Sequence, residues 1–144
     1  MNKQLTSTNG LPIILNYANM EDVEQLIQLI ARKAKELNLT EVIKSLSSSM
    51  EEFLAQDLET VLPLLQQIIC ELESSEEFNN IVYNLLRVCT YNGIVITRQL
   101  FNDKPELRED FYTLKIEVIK FNLSPFLKNL SGRLFQMTSV KTDS

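Results

Sequence analysis

The chain has no histidine, and only three glycines, two cysteines and four prolines among its 144 residues. Without an imidazole there is neither a Ser-His-Asp triad nor a Cys-His pair. Two thiols with no histidine cannot supply the four ligands of a structural zinc site. Three glycines leave no loop to cradle phosphates, which excludes nucleotide binding by GxGxxG or P-loop geometry. No run of about 20 apolar residues occurs, so no membrane-spanning helix is expected. The N-terminus carries Lys3 but no apolar h-region before a small-residue cleavage site, and a cytoplasmic location is the expectation.

What is present is ordinary for a globular chain. Hydrophobic residues make up 44%, too many for a disordered segment. The length fits one domain, which buries roughly 70% of its unfolded surface. Lys+Arg 14 against Asp+Glu 19 gives a net charge of -5, which argues against a nucleic-acid footprint. Glu51 and Glu52, Glu76 and Glu77, and the group Glu106, Glu109 and Asp110 all fall near helix starts. Carboxylates there complement the helix dipole and cap free N–H groups, a better account than a general acid and base. A di-metal carboxylate bundle would need Glu-x-x-His, which is missing. No catalytic, cofactor or metal residue is therefore assigned. Cys70 and Cys89 each sit in an apolar run and read as reduced, buried, small hydrophobes.

Hydrophobic spacing organises the chain into helices. Residues 1–18 are punctuated by Asn9-Gly10 and Pro12; LPIIL is a strand or a packing piece, and the segment is expected to be a flexible arm that orders on assembly. Asn19 precedes a helix whose Val23, Leu26, Ile27, Ile30, Ala34 and Leu37 recur at steps of three and four. Thr40 can cap a short helix through Val42, Ile43 and Leu46, and Ser47 to Ser49 break it. From Met50 a strong stripe runs through Phe53, Leu58, Leu65, Ile69 and Leu72, with a kink at Pro63 or a restart near Asp57. Ser74 and Glu77 have capping-box spacing before Phe78, Ile81, Val82, Leu85 and Leu86.

The period then changes. VCTYNGIVIT places β-branched and aromatic residues around Asn92-Gly93, the strongest short hairpin signal, because both turn residues need positive φ. A lone hairpin is marginal in water and must lean on helices or pair with another chain. Asp103 then caps a helix with Pro105 in its first turn. Leu107, Phe111, Leu114, Val118 and Phe121 form its stripe, widened by Ile116, Ile119 and Leu123. A helix so broadly apolar is central, or buries a second side against a partner. Ser124-Pro125 ends it and restarts a short helix through Phe126, Leu127 and Leu130, which Gly132 stops.

The block from Arg87 to Leu130 resembles the tail assembly chaperones of long-tailed bacteriophages. The resembling features are the RVCTYNG turn with the following ITRQLF, the REDFY helix start and the KFNLSPF helix end. Leu127 stands where a second aromatic is expected, a mild departure. The resemblance implies a mostly helical protein that coats the tape measure protein before the tail tube polymerises. It implies rings or spirals that dissociate as tail tube subunits arrive, with masking of exposed apolar helix as the mechanism.

The combined expectation is an all-α, mainly helical fold of about five to seven helices, with one short β-hairpin or turn near Asn92-Gly93. Residues 1–18 are the arm, 19–135 a single helical domain, and 136–144 a disordered tail. The function expected is non-catalytic: a chaperone that masks the tape measure protein, meets the tail tube protein, forms a homo-oligomer and is absent from the mature virion. No nucleic acid, membrane or cofactor is expected. The partner surface is assigned to Tyr91, Ile94, Phe101, Phe121, Asn122, Pro125 and Phe126. A helical adaptor holding one partner helix in an apolar groove is the competing reading.

Overall fold

The computed structural model describes residues 2–37 and 58–126. Two strands open the chain, β1 (Asn2–Thr6) and β2 (Pro12–Asn16), followed by helix α1 (Met20–Leu37). Then come α2 (Leu58–Leu72), α3 (Glu76–Leu86), strands β3 (Thr90–Tyr91) and β4 (Ile94–Val95), and the short α4 (Arg98–Asp103). A 3₁₀ helix over Pro105–Asp110 leads into α5 (Phe111–Leu123), and a 3₁₀ turn over Ser124–Phe126 follows. The expected helix at 42–46, the break at 47–49 and the tail lie outside the described residues.

The fold is mainly helical but not all-α. A four-stranded antiparallel sheet in the order β1-β2-β3-β4 corrects that expectation. The segment read as an arm provides half of it, paired from Asn2 opposite Asn16 to Thr6 opposite Pro12. The strand period is visible only in β2, where Ile13 and Leu15 point into the core and Pro12 points out. β1 reads NKQLT, and Leu5 is its one apolar residue, so its sequence carries no alternation to detect.

The Asn92-Gly93 hairpin forms as expected. Asn92 has φ 50° and Gly93 φ 84°, the doubly positive pair of a type I′ turn, and Tyr91 faces Ile94 across it. β3 leans on its own chain, pairing with Ile13 and Ile14 of β2. The outer side of β4 is an edge of the sheet.

Helix starts differ from the expected ones by small, explicable shifts. Ser75, not Ser74, caps α3, its hydroxyl accepting the Phe78 N–H at 3.1 Å. Asp103 closes α4 instead of capping the next helix. α4 itself begins at Thr97, whose hydroxyl accepts the Leu100 N–H at 3.2 Å. Asp110 stands at the N-cap position of α5 without capping it. Its carboxylate is engaged elsewhere: the Thr8 N–H and hydroxyl donate to it at 3.0 and 2.7 Å.

α1, α3 and α5 pack on one another, with the inner face of the sheet closing the core. Val23, Leu26, Ile30 and Ala34 carry the buried face of α1. α5 is buried on most sides, through Leu114, Ile116, Val118, Ile119 and Leu123, which makes it the central helix. Cys89 is buried, but Cys70 is exposed, contrary to the sequence reading. On α2 the stripe Leu65, Ile68, Ile69 and Leu72 faces inward and leaves Cys70 outside it.

Candidate partner-binding cleft

Where β2 hands over to α1, the chain crosses the last turn of α5. Two contacts fix the crossing. The buried Asn122 side chain accepts the Ala18 N–H at 2.8 Å and donates to the Val118 carbonyl at 2.9 Å. Tyr17 stacks on Phe121, ring centroids 4.3 Å apart and planes 8° apart. Such a pair contributes about 0.5–1.5 kcal/mol beyond its buried area. Asn16 adds a tie to the segment leading into β3 by donating to the Val88 carbonyl at 2.9 Å.

The result is a cleft of about 290 Å³ lined by Tyr17, Ala18, Met20, Val23, Asn122 and Pro125. Its walls are apolar apart from Asn122. Met20 is 52% exposed and Tyr17 41%, two of the largest exposed apolar side chains among the described residues. A second hollow of about 270 Å³ lies between the β1–β2 hairpin and α5. Its charged groups are paired within the chain: Lys3 meets Glu117 at 3.1 Å, and Asp110 holds Thr8.

The structure brings together only part of the surface expected from sequence. Phe121, Asn122 and Pro125 meet at the cleft, Phe121 half-buried beneath Tyr17. Phe126 closes the 3₁₀ turn that follows. Ile94 is exposed on β4 beside Val95, away from the cleft residues in the sheet order. Tyr91 is buried in β3, its hydroxyl accepting from the Asn9 amide at 3.0 Å. Phe101 is buried in an aromatic cluster, edge-on to Phe111 at 5.1 Å and to Tyr83 at 6.2 Å. Tyr17 and Met20 were missed. They straddle the Asn19 helix start, outside any periodic stripe, and the apolar pair flanking that start was the available signal.

Among the described residues no group of three or more His, Cys, Asp or Glu side chains is placed to hold a metal ion. The Cys89 thiol is pushed up from its ordinary value by burial, partly offset by the backbone hydrogen bond at Asn16. It therefore stays protonated and inert at neutral pH. No described helix is long and apolar enough to cross a membrane.

A family model described as phage tail assembly chaperone protein, TAC, matches residues 23–135. The chain belongs to that family. The match spans α1 from Val23 through α5, so of the cleft's lining it includes Val23, Asn122 and Pro125 but not Tyr17, Ala18 or Met20. No curated protein and no solved structure matches the chain. The role of this chaperone in tail assembly rests on the family match.

Proposed function

We infer that this chaperone binds and masks the tape measure protein during tail morphogenesis, forms homo-oligomers as it does so, and catalyses no reaction. The observation that carries this reading is the family match over residues 23–135. The geometry agrees with it in kind. An apolar cleft with exposed walls suits the covering of helix that would otherwise aggregate. Pro125 and Ile94 are the exposed members of the expected surface, Phe121 lies half-buried beneath Tyr17, and Tyr91, Phe101 and Asn122 are buried. The place of action is the host cytoplasm, with the chaperone absent from the finished virion.

Coexpression tests the reading. The tape measure protein of the same phage should be soluble and co-purify when this chaperone is present, and should precipitate without it. Light scattering of the chaperone alone should show concentration-dependent species larger than a dimer. A tape measure protein equally soluble in both strains would overturn the masking role. A strict monomer at all concentrations would overturn the oligomer.

A further inference from the structure

α2 is the long helix least able to hold itself in place. α1, α3 and α5 pack on one another, whereas α2 joins them mainly through α1. Pro63 lies inside α2, where it removes an N–H and crowds the carbonyl four residues back. At the other end Glu71 stands in the last turn, no basic residue accompanies it, and Glu73 follows directly. Carboxylates there oppose the negative end of the helix dipole. The position of α2 therefore depends on the burial of Leu65, Ile68, Ile69 and Leu72 and on a polar tie at its end.

That tie is the Lys115 ammonium of α5, which meets the Glu73 carboxylate at 2.7 Å. With α2 in place, the buried Lys115 exchanges its water for one carboxylate and the nearby rings of Phe111 and Tyr112. With α2 withdrawn, the ammonium is hydrated again. An apolar side chain at position 115 would gain nothing from that hydration and would favour the docked helix. The lysine thus fixes the register of the closed form and eases its opening. α3 keeps its own start in either case, because the Ser75 hydroxyl accepts the Phe78 N–H at 3.1 Å. Opening at Ser74–Ser75 breaks one further side-chain bond, from the Asn79 amide to the Glu73 carbonyl at 3.2 Å.

We propose that α2 is a hinged lid over α1 and that the Lys115–Glu73 contact is its latch. The lid swings about Ser74–Ser75 while α1, α3 and α5 stay folded. Opening bares the stripe Leu65, Ile68, Ile69 and Leu72, so the chain holds apolar surface in reserve. The lid is a property of the chain alone and stands whether or not the tape measure protein is its client.

Hydrogen exchange of the full chain at neutral pH, read by mass spectrometry, tests both parts. Amides over residues 65–72 should exchange at least about tenfold faster than those of α3 and α5. Glu73→Gln removes the latch and leaves the ammonium without its charge partner. Exchange over 65–72 should then rise about tenfold further, with α5 little changed. Lys115→Met should act in the opposite sense and slow the same amides about threefold. A thiol at the buried position 69, in Ile69→Cys with the exposed Cys70 changed to Ser, should follow the same order in its rate of labelling. Exchange over 65–72 no faster than in α5 would overturn the lid, since α2 would then open only with the whole fold. Equal changes in α2 and α5, or faster exchange of α2 in Lys115→Met, would overturn the latch.

Discussion

Lys115, in the middle of α5, reaches Glu73 at 2.7 Å and joins the central helix to the turn between α2 and α3. Its side chain is only 2% exposed, while that of Glu73 is 37% exposed. The aliphatic stem crosses the core and the ammonium also lies 5.1 Å from the Phe111 ring and 5.6 Å from that of Tyr112. Glu73 is itself held in place, its carbonyl accepting from the Asn79 amide at 3.2 Å.

This pairing predicts an asymmetry between its two ends. Glu73→Ala removes the carboxylate and leaves a buried ammonium, at a cost of about 1–3 kcal/mol. Lys115→Met removes the charge along with its need for a partner and keeps most of the stem's packing. It should cost less than Glu73→Ala. Urea unfolding of the two variants checks the order, and equal losses would show that packing alone governs the site.

Asn122 should behave as a structural clamp. In Asn122→Leu the Ala18 N–H loses its acceptor, and losing a part-buried hydrogen bond of this kind costs about 0.5–1.5 kcal/mol. The melting temperature should fall, and the Ala18 amide should exchange with deuterium faster than amides in α3. Unchanged protection at Ala18 would mean another group takes over as acceptor.

The hairpin turn should be sensitive to residue type and indifferent to residue size. Nothing lies within 4 Å of a Cβ built on Gly93, yet its φ of +84° belongs to the left-handed region. Gly93→Val should therefore destabilise by about 1–2 kcal/mol through backbone strain alone. Asn92→Gly should change stability by only a few tenths, because glycine accepts the same φ. Thermal melts of both variants separate strain from crowding.

Cys89 gives a pH dependence of defined sign. Burial raises its folded-state pKa above the ordinary 9.0, so both states hold the proton below that pH. Above it the unfolded chain releases the proton and the folded chain does not, so stability falls as pH rises past about 9. Cys89→Ala should remove that part of the alkaline loss. A thiol reagent at pH 8 should modify the exposed Cys70 at once and reach Cys89 only on unfolding.

Elements with a strong local signal were legible from the sequence. The stripes of α1 and α5 named their buried faces, and Asn92-Gly93 named its turn, because each signal depends on residues a few positions apart. β1 was not legible, since NKQLT lacks alternation and forms a strand only because β2 lies beside it. Asp110 looked like a helix cap and is instead the acceptor for Thr8, 102 positions away. The short α4 was hidden for a simpler reason: Thr97 reads equally well as a strand end and as an N-cap.

The sequence by itself determined that this chain folds mainly as helices and turns back at Asn92-Gly93. It also excluded histidine-dependent catalysis. Periodicity, capping and composition are local or additive properties, and they survive in any fold. Only the tertiary structure decided that the first strands complete a sheet and that Asn122 is committed to Ala18, 104 positions away. It also placed Tyr17 and Met20, which flank the start of α1, beside Phe121 and Pro125 to form the cleft. Contacts at that separation depend on how whole elements pack, and no short window of sequence contains both partners.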